Sequence, residues 1–185
     1  MVSRSAKQPI GYRVPATVSI PALLRQGSDR QFRGLIQDLL TVARRVEMAR
    51  DYLGRQIKVT GPQYQLLMTV AQLEGASGIG VGSVAQAMHV SSAFVTAEAG
   101  KLSQIGFLKK QPNPNDGRGA LLKLTPVGRR RIHGLIAEIR TVNDLFFGSL
   151  SGRSFADFCQ AAESLVAGSR KATQYMAGVE EDKRT

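Results

Sequence analysis

The sequence predicts a mainly α-helical fold carrying one small β-hairpin, with long helices at both ends. Three observations lead there. Apolar residues recur at three- and four-residue steps in three long segments, which is the spacing of one helix face. Shorter helical segments, each opened by a capping residue, lie between the first two. Two β-prone runs, 107–111 and 120–124, flank a stretch dense in turn formers, Pro112-Asn113-Pro114-Asn115-Asp116-Gly117-Arg118-Gly119.

The elements follow in order. Residues 1–30 carry Pro9, Pro15 and Pro21, five cations and no sustained period, and read as an extended basic arm. From Phe32 the stripe Phe32, Leu35, Ile36, Leu39, Ala43, Val46, Ala49, Leu53 and Ile57 predicts the first long helix. Thr60-Gly61-Pro62-Gln63 reads as a helix start: Thr60 accepts an orphan backbone N–H, Pro62 loses nothing in the first turn, and Gln63 completes a capping box. That second helix runs to about Glu74. Four glycines between Gly75 and Gly82 predict a loop, followed by a short helix near 83–88. Ser91 is the next N-cap, Val95, Ala99 and Leu102 stack on one face, and Gly106 offers a left-handed stop. Thr125-Pro126 repeats the cap-then-proline start, ahead of the stripe Ile132, Leu135, Ile136, Ile139, Val142 and Phe146. A last stripe, Phe155, Phe158, Cys159, Ala162, Leu165 and Val166, predicts a further helix, and the charged residues from Glu180 a frayed tail.

Composition narrows the class. The chain has 185 residues, room for one domain with appendages, and is 43% hydrophobic and 21% charged, close to the soluble average. Its apolar runs are too short for a bilayer, which needs ~20 residues. No apolar signal core follows Arg4 and Lys7. With Cys159 the only cysteine, no intramolecular disulfide forms, and a reducing, cytoplasmic setting is expected. The formal charge is +11 and is placed unevenly. Residues 109–131 hold seven cations against Asp116, whereas 61–90 hold no Lys or Arg. Such a local footprint points to a polyanionic partner, nucleic acid foremost.

Two short helices joined by a tight turn, the second opening on serines and followed by a basic hairpin, form the winged variant of the helix-turn-helix. A recognition helix enters the major groove N-terminus first, so Ser91, Ser92 and Thr96 are placed to approach phosphates and base edges. Lys101 meets a phosphate if it shares that face, and the hairpin tip reaches the minor groove with Arg118.

Over roughly residues 31–176 the chain resembles the MarR family, the regulators of multiple antibiotic resistance. Val59-Thr60-Gly61-Pro62-Gln63-Tyr64 is similar to the family's start of helix 2, and residues 90–102 to its recognition helix. Asn113-Pro114-Asn115-Asp116-Gly117-Arg118, through Leu124-Thr125-Pro126-Val127-Gly128, is similar to its wing and wing exit. The resemblance implies that Asp116 buttresses the wing, that Arg118 enters the minor groove, and that the terminal helices make a dimer. It departs in the recognition helix, where Ala97 and Glu98 replace the arginine or apolar residue of many members, and at Gly117, which stands where a basic pair is common.

The expected organisation is therefore an arm (1–30), one domain (31–178) and a charged tail (179–185). Within the domain, 31–58 and 126–178 are dimerisation helices and 60–125 the winged helix-turn-helix lobe. The expected function is a ligand-responsive repressor, a homodimer that binds a palindromic operator in double-stranded DNA and is released by a small effector, aromatic or acidic. Arg45, Tyr52, Tyr64 and Met68 are the candidate effector-binding residues, by resemblance and position. A nonspecific architectural DNA-binding protein is the alternative that charge alone permits. An enzyme is not expected. The glycines of 75–80 follow a helical stripe rather than a strand, so they do not make a dinucleotide fingerprint. His89, His133 and Cys159 lack metal-ligand spacing, and no cofactor or membrane partner is implied.

Overall fold

The computed structural model describes residues 14–113 and 116–182, the side chains at 116–118 and 181 excepted. After a 3-10 turn at Pro21–Leu23, the elements are α1 (Arg30–Gln56), α2 (Gly61–Leu73), β1 (Ile79–Gly80), α3 (Val81–Met88), α4 (Ser92–Gln104), β2 (Leu108–Asn113), β3 (Asp116–Leu124), α5 (Pro126–Phe147) and α6 (Gly152–Asp182). The capping signals act as the sequence predicts. Thr60 and Gln63 form a reciprocal capping box on α2. Ser91 Oγ accepts from Phe94 N at 3.1 Å, and Thr125 Oγ1 accepts from Gly128 N at 3.0 Å.

The β structure is larger than the sequence predicts. The strands continue into the turn-rich stretch, where Pro112 pairs with Ala120 and, after a register shift, Asn113 with Asp116. Pro112 is tolerated because β2 is an edge strand in a sheet of order β1-β3-β2, where a missing N–H breaks no ladder. β1, two residues in the stretch expected as a glycine loop, pairs Ile79 with Leu122 and Gly80 with Leu121. So short a strand leaves no periodicity to read. α3 starts two residues before the expected Ser83, and α6 continues as helix to Asp182.

The core sits under this sheet. Leu66, Leu67 and Val70 of α2, Val84 of α3, Val95 and Leu102 of α4, and Leu108 and Leu122 of the sheet are wholly buried. Leu53 and Ile57 from the end of α1, with Leu135 and Ile139 of α5, close it on the side of the long helices. Glu74 ties three elements at one point. Its carboxylate accepts from Leu124 N at 2.7 Å and pairs with Arg129, joining the end of α2 to the wing exit and the start of α5. Beside it the chain packs backbone on backbone. Gly106 takes a left-handed conformation (φ 74°), Thr125 N donates to Phe107 O at 3.0 Å, and Gly128 lies against that same carbonyl.

Beyond the lobe, the long helices are bare. No described residue of α6 is buried, and Phe155, Phe158, Leu165, Val166 and Met176 face solvent. Leu35, Ile36, Leu40 and Met48 of α1 and Leu145 of α5 do the same. No described helix is long and apolar enough to cross a membrane.

The described part of the arm is fastened to α1. Arg25 and Ser28 close a turn through Gln26 and Gly27, both at positive φ. Asp29, buried, accepts from Thr17 N at 2.8 Å and Thr17 Oγ1 at 2.9 Å, and pairs with Arg33 at 3.0 Å. The Thr17 amide holds the Asp29 carboxyl below its ordinary value, and Arg33 adds to the effect.

Two outcomes follow. A methyl at Gly128 collides with the Phe107 carbonyl oxygen, whereas one at Gly134 meets open space. Gly128→Ala is expected to cost about 1–3 kcal/mol, lowering Tm by about 2–4 °C per kcal/mol at this chain length, and Gly134→Ala to hold or raise Tm in the same calorimetric series. For Asp29, a lowered folded value means that the clasp's contribution is complete above the ordinary carboxylate value of 3.8 and is lost as pH falls through the folded one. The Thr17 amide resonance should therefore titrate below pH 3.8 and lose that titration in Asp29→Asn.

Candidate nucleic-acid interface

α3 ends in the left-handed conformation at His89 (φ 55°), and Val90 N donates to Ala85 O at 3.0 Å. This turn swings the chain into the extended Ser91, whose hydroxyl caps α4 and leaves Ser92 free at its first position. With Val95, Ala99 and Leu102 buried, α4 turns Ala93, Ala97 and Gln104 to solvent, a low surface that a groove floor can approach closely. Ser92 and Thr96 share one flank. Lys101 lies roughly 140° round the axis from Thr96, at the opposite flank, since each residue turns about 100°.

Lys101 is also engaged. Its ammonium lies 2.6 Å from Glu98 Oε1, and Glu98 Oε2 accepts from Gln63 Nε2 at 3.0 Å. The bond from Lys101, with a smaller contribution from Gln63, holds the Glu98 carboxyl below its ordinary value. Gln63 thus caps α2 with its oxygen and steadies α4 with its nitrogen.

Sequence reasoning missed Lys110. Its partner across the sheet is the buried Leu122, so it lies on the core-facing side of β2, where a cation is not expected. Because β2 is the edge, its side chain escapes the core and its ammonium lies over Gly100, donating to Thr96 O at 3.0 Å. The Lys109-Lys110 pair was visible as charge, but only the register assigns the second to α4. Lys123, on the other face, donates to Ala76 O and fastens β3 to the turn at 75–78. Asp116 and Arg118 fall in β3 by backbone, and their side chains lie outside the described residues.

The four candidate effector residues do not converge. Arg45 is exposed on α1. Tyr52 donates to Glu138 Oε1 at 2.7 Å, linking α1 to α5, and that bond raises its hydroxyl's pKa. Tyr64, 7% exposed, belongs to the core, where burial likewise pushes its hydroxyl up, and Met68 packs half-buried against it. Tyr52 lines a polar cleft with Arg130, Arg131 and Glu138. A second cleft, of about 490 Å³, has an apolar floor of Ala71, Ile132 and Ile136 under a rim of Arg129, Arg130 and His133. No group of three or more His, Cys, Asp or Glu among the described residues is arranged to hold a metal.

A capped recognition helix, a tight turn before it and a hairpin after it, widened by β1 to a three-stranded sheet, define a winged helix-turn-helix. Comparison with known proteins narrows the likeness: residues 59–119, the segment from the head of α2 into the wing, match the MarR family model. The fold agrees with that of solved structures. A mutant MarR from Escherichia coli complexed with operator DNA is 18% identical, TM-score 0.62, over 73% of this chain and 95% of its own. PcaV from Streptomyces coelicolor, in complex with its natural ligand, is 25% identical, TM-score 0.56, over 69% and 91%. CouR from Rhodococcus jostii RHA1, bound to p-coumaroyl-CoA, is 18% identical, TM-score 0.62, over 69% and 87%. No curated protein matches the chain.

Proposed function

We propose that the protein is a cytoplasmic, ligand-responsive repressor whose homodimer binds a palindromic operator. The observation that carries the DNA reading is the α4 N-terminus: Ser91 caps it, and Ser92 and Thr96 stand exposed beside the Lys110 ammonium. Unpaired N–H groups and small hydroxyls at such an end suit phosphate and base edges. In this reading Asp116 shapes the wing and Arg118 enters the minor groove. The bare apolar faces of α1, α5 and α6 support a second copy as their cover, which would set two recognition helices roughly 34–36 Å apart, one turn of DNA.

The operator reading is tested by fluorescence anisotropy on the intergenic duplex beside the gene and on its shuffled counterpart, across a salt series. A preference of about a thousandfold or more at physiological salt is expected of a specific regulator. Equal affinities that collapse together as salt rises would mean a nonspecific architectural protein instead. Arg118→Ala is expected to weaken operator binding by about 1–3 kcal/mol, and unchanged affinity removes the wing from the interface.

For the effector we propose an aromatic carboxylate or its CoA thioester, seated in the cleft between α2 and α5. Its apolar floor suits a ring and its rim of Arg129, Arg130 and His133 an anion. CouR's p-coumaroyl-CoA and PcaV's natural ligand show neighbours of this fold with ligands bound. Release requires only that the effector favour the conformation with less affinity for DNA. In calorimetric titration, p-coumarate and p-coumaroyl-CoA serve as probes. At least one should bind and weaken operator affinity, with Kd rising tenfold or more in Arg130→Ala. Binding indifferent to that change places the effector elsewhere.

A further inference from the structure

In a chain of net charge +11, the recognition helix is neutral. Lys101 is its only cation, Glu98 its only anion, and the two are bonded to each other. The pair is not a loose surface contact. Glu98 is 12% exposed, held from its other oxygen by Gln63 Nε2, and Gln63 is itself fixed by the capping box at the head of α2. The anion is thus anchored in the scaffold, and the lysine, 60% exposed, is the mobile member that comes to it.

Nonspecific attraction to DNA is built almost wholly from cations that displace counterions from phosphates, one contact adding about 0.9 to the salt slope. A lysine already neutralised by a fixed carboxylate displaces none, and that carboxylate repels the backbone it approaches. Around the pair, the exposed face of α4 offers only Ser92, Ala93, Thr96, Ala97 and Gln104, none of them charged.

We propose that Glu98 is a specificity-determining residue that keeps Lys101 off the phosphates of noncognate DNA, so that α4 adds contact but no charge to sequence-independent binding. This rests on the DNA-binding reading above. Phosphate affinity is thereby left to the wing and to Lys110, while the recognition helix engages through fit to the groove. Among the described residues Lys110 is a second cation bonded to α4, and it stands on the Thr96 flank, away from Glu98.

The test uses the full chain as wild type, Glu98→Gln, Lys101→Met and the double variant, on a random-sequence duplex of about two helical turns from 50 to 200 mM salt. Glutamine keeps an acceptor for Gln63 and removes only the charge, and thermal unfolding of all four proteins checks that the fold is kept. Glu98→Gln should bind several-fold tighter near 0.1 M salt, with a salt slope steeper by about 0.9. Lys101→Met should leave the wild-type slope where it is, and the double variant should return to that slope. A purely structural Glu98 would alter Tm without this pattern. A shallower slope in Lys101→Met alone means that Lys101 already reaches phosphate and overturns the proposal, as does a Glu98→Gln slope equal to the wild type. No binding by any of the four at the lowest salt would overturn the DNA-binding reading itself, and this proposal with it.

Discussion

Glu74 sits at the end of α2 with its side chain 4% exposed, and a carboxylate so enclosed persists only when donors replace the water it has lost. It has two, the Leu124 amide and the Arg129 guanidinium, which come from the last residue of the wing and the first turn of α5. The three elements therefore meet at one charge. The angle at which the hairpin leaves the lobe and the angle at which the long helix begins are set together, and neither can shift without stranding that anion. The hairpin is hung from this joint on one side, and the long helix α5 from the other.

The cleft between α2 and α5 adjoins the joint, since Arg129 belongs to both. In the proposed reading, an anion lodged there would compete with Glu74 for the same guanidinium and so bias the attitude of the wing. Allosteric coupling needs no longer path than that when the shared residue sits at the hinge between two rigid parts.

The frame of the fold was legible in the sequence wherever a residue's conformational demand is local. Thr60, Ser91 and Thr125 announce their helices because a hydroxyl can satisfy an orphan amide three residues on, and Gly106 marks the end of α4 because it accepts a positive φ. What stayed hidden depends on partners distant along the chain. β1 exists only because β3 is there to pair with it. The strands' advance to Asn113 and Asp116 overrides turn-forming residues by cross-strand bonding. Lys110 reaches α4 through register, and Lys101 is drawn from the Ser92–Thr96 flank by a helical phase that the list of polar residues alone does not show. Tyr64 follows the same rule: an aromatic with a hydroxyl suits a pocket wall and a core equally, and only the packing of α2 assigns it to the core.

Pro112 has a further consequence. An open sheet edge invites another strand, from this chain or a neighbour, and growth along such edges is how folded proteins begin to polymerise. Here the outer strand breaks its row of donors at the proline and carries Lys109 and Lys110 ahead of it. The outer strand thereby avoids presenting a template for fibres, and it does so with a proline and two lysines of its own sequence.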